Sequence, residues 1–189
     1  MGNFYTNVVV RGPSEDKVVE TLSALGRNCY VTSKDDFTFV YDEEADTQRE
    51  GVVESLALTL ATRLSCPALA ALNHDDNALL LWLYDESGGE LRFGWGVAFA
   101  AGHGSPGIRD FIDQVRHVFA TGNRPLEPNP MPLRLRLFFR LYPSSFAFVR
   151  HERILRQARI PVRPAMMGYN YVFQGELDEG DSGLKVRRV

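Results

Sequence analysis

The chain has 189 residues, enough for one sizeable domain or a domain with a smaller companion. With 44% hydrophobic, 24% charged and 11% aromatic residues, and with 16 Gly and 10 Pro, its composition excludes a disordered chain, a collagen-like repeat and a disulfide-stapled miniprotein. The net charge of −3 is split along the chain: residues 1–100 carry 7 Lys and Arg against 16 Asp and Glu, and residues 101–189 carry 14 against 8.

Phe4 to Val10 is β-branched and aromatic and predicts a strand that ends at Gly12-Pro13. Ser14 is placed to cap a helix whose first turn holds Glu15 and Asp16, where carboxylates complement exposed N–H groups. Val18, Leu22 and Leu25 recur at helical spacing, and Gly26 supplies the stop. Cys29 to Thr32 and Phe37 to Tyr41 read as two short strands. Thr47 and Glu50 have the spacing of a capping box ahead of a second helix, with Val53, Leu56, Leu60 and Leu64 on one apolar face. Strands over Ala68 to Asn73 and Ala78 to Tyr84 flank the turn His74-Asp75-Asp76-Asn77, and Leu91 to Gly94 returns after Gly88-Gly89.

The remainder reads as more helical. Ser105 and Pro106 are expected to start a helix with Ile108, Phe111, Ile112, Val115 and Phe119 on its apolar face, stopped at Gly122. Residues 123–132 hold four prolines and read as a connector. Leu133 to Phe139 allows either a strand or a short helix. A further helix opens at Ser144 or Ser145 and carries Phe148, Leu155 and Ala158 on one face, with Glu152 and Arg156 forming an i,i+4 pair. Met167 to Phe173 is expected to close the fold as a last strand.

The fold class predicted is α+β. A ferredoxin-like β-α-β-β-α-β core with an added antiparallel hairpin occupies residues 1–101. A more helical part, 102–178, packs on it as one cooperative unit, and 179–189 form a loosely ordered tail. No apolar run approaches the ~18–20 residues that span a bilayer. The opening MGNFYTNVVVRG lacks the basic and apolar regions of a secretory signal, so a soluble cytoplasmic protein is expected. Cys29 and Cys66, 37 residues apart without CxxC pairing, fit buried thiols of a reducing compartment.

Few residues point to chemistry. Gly102 to Gly107 (GHGSPG) satisfies G-x-G-x-x-G, but it follows the last strand of a meander and has Pro106 where a phosphate would need an N–H. Capping and chain reversal explain it, and no cofactor is assigned. His74-Asp75-Asp76 is the densest cluster of potential ligands. On an extended chain His74 and Asp76 point to one side and begin a metal site that His151 or His117 would complete, although turn formation accounts for the same residues. His151 reads as a core-edge histidine, and His103 and His117 as surface. Eight arginines fall within 131–163 against the single acid Glu152, the pattern of a nucleic-acid surface or of a basic half packed on an acidic one. Tyr169 and Tyr171, in GYNY, either line a pocket or interface or pack the last strand.

The opening MGNFYTNVVVRGP, the stretch CPALAALNHDDNALLLWLYD and the late FVRHERILRQARIP…GYNYVFQGEL together resemble an uncharacterised bacterial protein family that begins with a near-identical MGNFYTN. The resemblance touches both halves but not Trp95 to Arg140. It implies one unit in the bacterial cytoplasm and brings no activity, cofactor or site residue. The leading functional expectation is therefore a non-catalytic interaction or regulatory protein with a protein partner or self-association, through Arg150, Arg153, Arg156, Tyr169 and Tyr171. The alternative is a small metal- or anion-dependent enzyme built on His74 and Asp76. A third reading is nucleic-acid binding through the arginines of 134–163.

Overall fold

A computed structural model describes residues 4–49, 51–96, 107–120, 147–175 and 184–189. Its elements are β1 (Tyr5–Arg11), α1 (Glu15–Ala24), β2 (Cys29–Lys34), β3 (Phe37–Asp42), a 3-10 turn (Ala45–Thr47), α2 (Val52–Leu64), β4 (Ala68–His74), β5 (Ala78–Tyr84) and β6 (Glu90–Gly96). After these come α3 (Ile108–Val118), α4 (Ala147–Ala158), a 3-10 turn (Pro164–Met166), α5 (Tyr169–Phe173) and β7 (Val186–Arg188). The protein is α+β: the strands form one sheet, β6-β5-β4-β1-β3-β2-β7, antiparallel at every neighbour.

Helices cover both faces of this sheet. Val8, Val10, Val31, Val40, Ala68 and Ala70 face α1 and α2, meeting Val18, Leu22, Leu56 and Leu60. The alternate residues Val9, Phe37, Phe39, Tyr41, Leu69 and Leu81 face α3 and α4, meeting Phe111, Val115, Ile154 and Leu155. Burial on both sides explains why β5 reads as a continuous apolar run. Each fully buried Leu or Phe in these layers contributes about 1.5–3 kcal/mol.

Local signals set several boundaries as expected. Ser14 Oγ accepts the Lys17 N–H at 3.4 Å. Gly26, at φ +66°, ends α1 with paired bonds from its own N–H to Ser23 O and from Arg27 N–H to Leu22 O, which occupy carbonyls that the helix end would leave open.

Four expectations are corrected. Thr47 does not cap α2: its hydroxyl donates to Glu44 O at 2.6 Å, and the helix begins at Val52, after Gly51. The reason is Gln48, whose amide donates to Asn73 O at 2.9 Å and whose Oε1 lies 2.6 Å from His74 Nδ1, holding this stretch against the β4–β5 hairpin. The helix expected from Ser105 starts at Ile108, with Gly107 at its cap. Met167 to Phe173 is not a strand. Gly168 leads into α5, whose first N–H groups need a partner, and Asp46 Oδ2 accepts from Asn170 N (3.2 Å) and Nδ2 (2.7 Å). Within the expected loose tail, Val186–Arg188 pairs with β2, and Thr32 Oγ1 donates to Lys185 O at 2.9 Å. Ser105, Gly122, the proline connector, 133–142 and Ser144-Ser145 lie outside the described residues. Among the described residues no helix is long and apolar enough to cross a membrane.

Candidate functional site

Alternation along β1 turns Tyr5 and Asn7 toward the α3/α4 side, on the face of Val9. The register places Tyr5 opposite Asn73 of β4, so three polar side chains stand at one end of an otherwise apolar face. Tyr5 is 4% exposed, Asn7 1% and Asn73 0%. α4 lays His151 over them, 1% exposed, with Nδ1 hydrogen-bonded to the Tyr5 hydroxyl at 2.8 Å. The β4–β5 hairpin adds Asp76, whose Oδ1 accepts from Asn73 Nδ2 at 3.1 Å and whose backbone oxygen accepts from Ala147 N at 2.8 Å. Asn7 Nδ2 donates to both Ala165 O and Met167 O at 2.9 Å, fixing the turn after α4 to the sheet.

Asn7 Oδ1 and His151 Nε2 have no hydrogen-bond partner among the described residues. Each such buried atom costs about 1–3 kcal/mol. Burial lowers the His151 pKa to about 3, so the ring is neutral at neutral pH. Burial, and then the charge of Asp76, push the Tyr5 phenol well above its ordinary range. The pair is thus an uncharged buried hydrogen bond that positions β1 against α4.

Beside it opens a groove of about 600 Å³. Phe4 and Tyr5 form one wall, and Phe148, Glu152 and Arg156 of α4, spaced i, i+4, i+8 along one stripe, form another. Val162, Arg163, Met166 and Met167 come from the segment after α4, and Gly168 and Tyr171 complete the lining. Glycine is required at 168: a Cβ there would stand 2.7 Å from Asp46 Oδ1 and 3.0 Å from Tyr5 Cβ. On the groove, Arg156 Nε and Nη2 bond Glu152 Oε1 at 2.7 and 2.6 Å, as the i,i+4 spacing predicts, and Arg163 Nη2 lies 3.3 Å from the Tyr171 hydroxyl.

The structure brings together part of the set named from sequence. Arg156 and Tyr171 share the groove. Tyr169 is buried instead, tilted on Tyr30 with ring centroids 5.2 Å apart and stacked on Phe173 at 6.0 Å. Arg150 points its guanidinium over Trp95, 4.6 Å from the ring centroid, a cation–π contact away from the groove. Burial, with Arg153 nearby, lowers the Arg150 pKa.

His74 and Asp76 do not face one side, because Asp75 and Asp76 take positive φ and turn the chain. His74 is exposed and bonds Gln48, while Asp76 is buried against Asn73. Among the described residues no three His, Cys, Asp or Glu gather into a group able to hold a metal ion. Cys29 and Cys66 are both buried and free, their thiols pushed up by burial to about 12 and about 11. Cys66 shares a second cleft, of about 1070 Å³, with Arg11, Lys17, Asp85, Glu86 and His117. His103, the glycines before Gly107, and Arg134, Arg136 and Arg140 lie outside the described residues.

Sequence reasoning missed Tyr5, Asn7, Asn73 and Gly168. The signal available was an asparagine in each of two strands otherwise rich in apolar residues, YTNVVVR and ALAALNH. Compared with known protein families, curated proteins and solved structures, the chain matches none.

Proposed function

We propose that this protein is a non-catalytic cytoplasmic binding protein whose working surface is the groove between β1, α4 and α5. The observation that carries the reading is the lining itself: an apolar wall of Phe4, Phe148, Val162 and the two methionines, with the polar ends of Glu152, Arg156, Arg163 and Tyr171 converging on it. Its volume falls within the roughly 300–1,000 Å³ of ligand sites. The buried Tyr5–His151 bond and the double anchor from Asn7 pre-organise its walls, which lowers the ordering cost of binding. The raised thiols and the neutral, buried histidine favour binding over nucleophilic or acid–base work.

The scaffold reading that goes with this is a ferredoxin-like unit of β1-α1-β2-β3-α2-β4, extended by the β5–β6 hairpin and joined with the later helices into one cooperative unit. In its support, α1 and α2 lie on one face, β1 sits between β4 and β3, and a single apolar cluster takes residues from the sheet, α3 and α4. Two buried, unpaired cysteines are in keeping with a reducing compartment.

Native mass spectrometry of gently purified wild type beside Val162→Trp, which fills the groove, tests the function. Extra mass or a partner subunit retained by wild type and lost in the variant is expected. Retention at equal level in both would move the working surface elsewhere.

A further inference from the structure

We propose that the β4–β5 turn gauges the groove, fixing its two aromatic walls against each other, with His74 as the positioning residue for Phe4. This rests on the groove being the working surface and names the element that regulates its width. Among the described residues, six other than glycine take positive φ, and three of them meet here: Gln48 (+56°), Asp75 (+50°) and Asp76 (+54°). Glycine adopts this conformation with less strain, so a cluster of strained positions marks a place where the side chains and the path of the turn matter. The turn extends two arms. In the first, the Gln48 amide donates to Asn73 O at 2.9 Å, which leaves Oε1 to accept from His74 Nδ1 at 2.6 Å. The ring so held meets that of Phe4 at a right angle, with centroids 5.0 Å apart and planes at 86°. Phe4 is 56% exposed, and His74 supplies its ring contact among the described residues. In the second arm, Asp76 O accepts Ala147 N at 2.8 Å and so holds the first residue of α4, one position before Phe148. One turn thus reaches both walls, Phe4 through a side chain and Phe148 through the backbone. The divergence of His74 and Asp76 is what lets them serve different walls. An exposed ring held by one edge contact loses its place when that contact is removed, whereas Tyr5 beside it stays buried and bonded to His151.

The test is a titration of the full chain with N-phenyl-1-naphthylamine, an uncharged apolar fluorophore. It compares wild type, His74→Ala, Phe4→Leu and their double variant, with Val162→Trp as the filled-groove reference. His74→Ala is expected to weaken binding about fivefold, the scale of one aromatic edge contact. His74→Phe returns a ring at the same place without the Gln48 bond and should recover most of that loss. In the Phe4→Leu background, His74→Ala should have no further effect, because His74 acts through Phe4. Phe4 and His74 are both exposed, and an unchanged circular dichroism spectrum verifies folding. Equal affinity in wild type and His74→Ala, no recovery in His74→Phe, or losses that add in the double variant would overturn the positioning role while leaving the groove a binding site. Wild-type binding that Val162→Trp leaves intact, or no binding at all, would overturn the groove reading and this one together.

Discussion

The two faces of the sheet are built on different plans. Against α1 and α2, the strands present Val8, Val10, Val31 and Val40 to Val18, Leu22, Leu56 and Leu60, and shape complementarity among aliphatic side chains does the stabilising. Against α4, the same strands begin apolar at Val9 and Leu69 and end polar at Tyr5, Asn7 and Asn73, with His151 laid across them. An apolar layer tolerates volume-conserving repacking, whereas a buried polar cluster holds its geometry by directional bonds and is penalised when a single partner is lost. The groove adjoins the polar end, where the chain accepts unpartnered atoms in exchange for fixed walls.

The largest expected effect breaks the apolar face. Leu60→Ala empties a fully buried site on α2 and should lower unfolding free energy by about 2–5 kcal/mol in urea titration, with methyl signals at Met166 and Met167 kept at temperatures where the chain remains folded.

Acid sharpens the contrast by acting on one face. His151 titrates near 6.5 when unfolded and at about 3 when folded, so the unfolded chain binds the extra proton and stability falls as pH drops through that window. Relative to His151→Gln, wild type should lose about 1.4 kcal/mol more per pH unit between those values and nothing above them. Parallel pH profiles for the two proteins would show that the ring is not the buried neutral group described.

Tyr5→Phe, which leaves His151 Nδ1 without its partner, should cost about 1–3 kcal/mol, and adding His151→Leu should return part of that loss, because an apolar pair leaves no orphan. Additive losses would instead assign the cluster to packing alone. The smallest effect is expected at Thr47→Ala: with α2 starting at Val52, the change should stay within about 0.5 kcal/mol, where a true N-cap would cost around 1.

The first face was largely legible in the sequence, because its signals are local. The Ser14 cap, the Gly26 stop and the 3.6-residue spacing of α1 and α2 state which side is buried without reference to the rest of the chain. The alternation of β1 was equally readable, yet the meaning of Asn7 within it was not. Its partners are the carbonyl oxygens of Ala165 and Met167, about 160 positions away, and no local pattern marks a carbonyl as an acceptor. The same holds for Gly168, whose need for a bare Cα arises from Tyr5 and Asp46 packing on it. The capping box at Thr47 had the right letters, but a long-range bond from Gln48 to the β4–β5 hairpin outweighed it.

By itself, then, the chain's pattern determined an α+β architecture, the covered face beneath α1 and α2, the order of strands along the first ninety-six residues and the Glu152–Arg156 pair. Only the tertiary structure decided that His151 lies buried on Tyr5, that His74 and Asp76 face apart, and that Arg156 and Tyr171 share a groove while Arg150 and Tyr169 leave it. The physical reason is range. Helical and strand periodicity encode which side of an element is apolar, whereas a site is a set of contacts between elements whose separation along the chain carries no trace of their nearness in space.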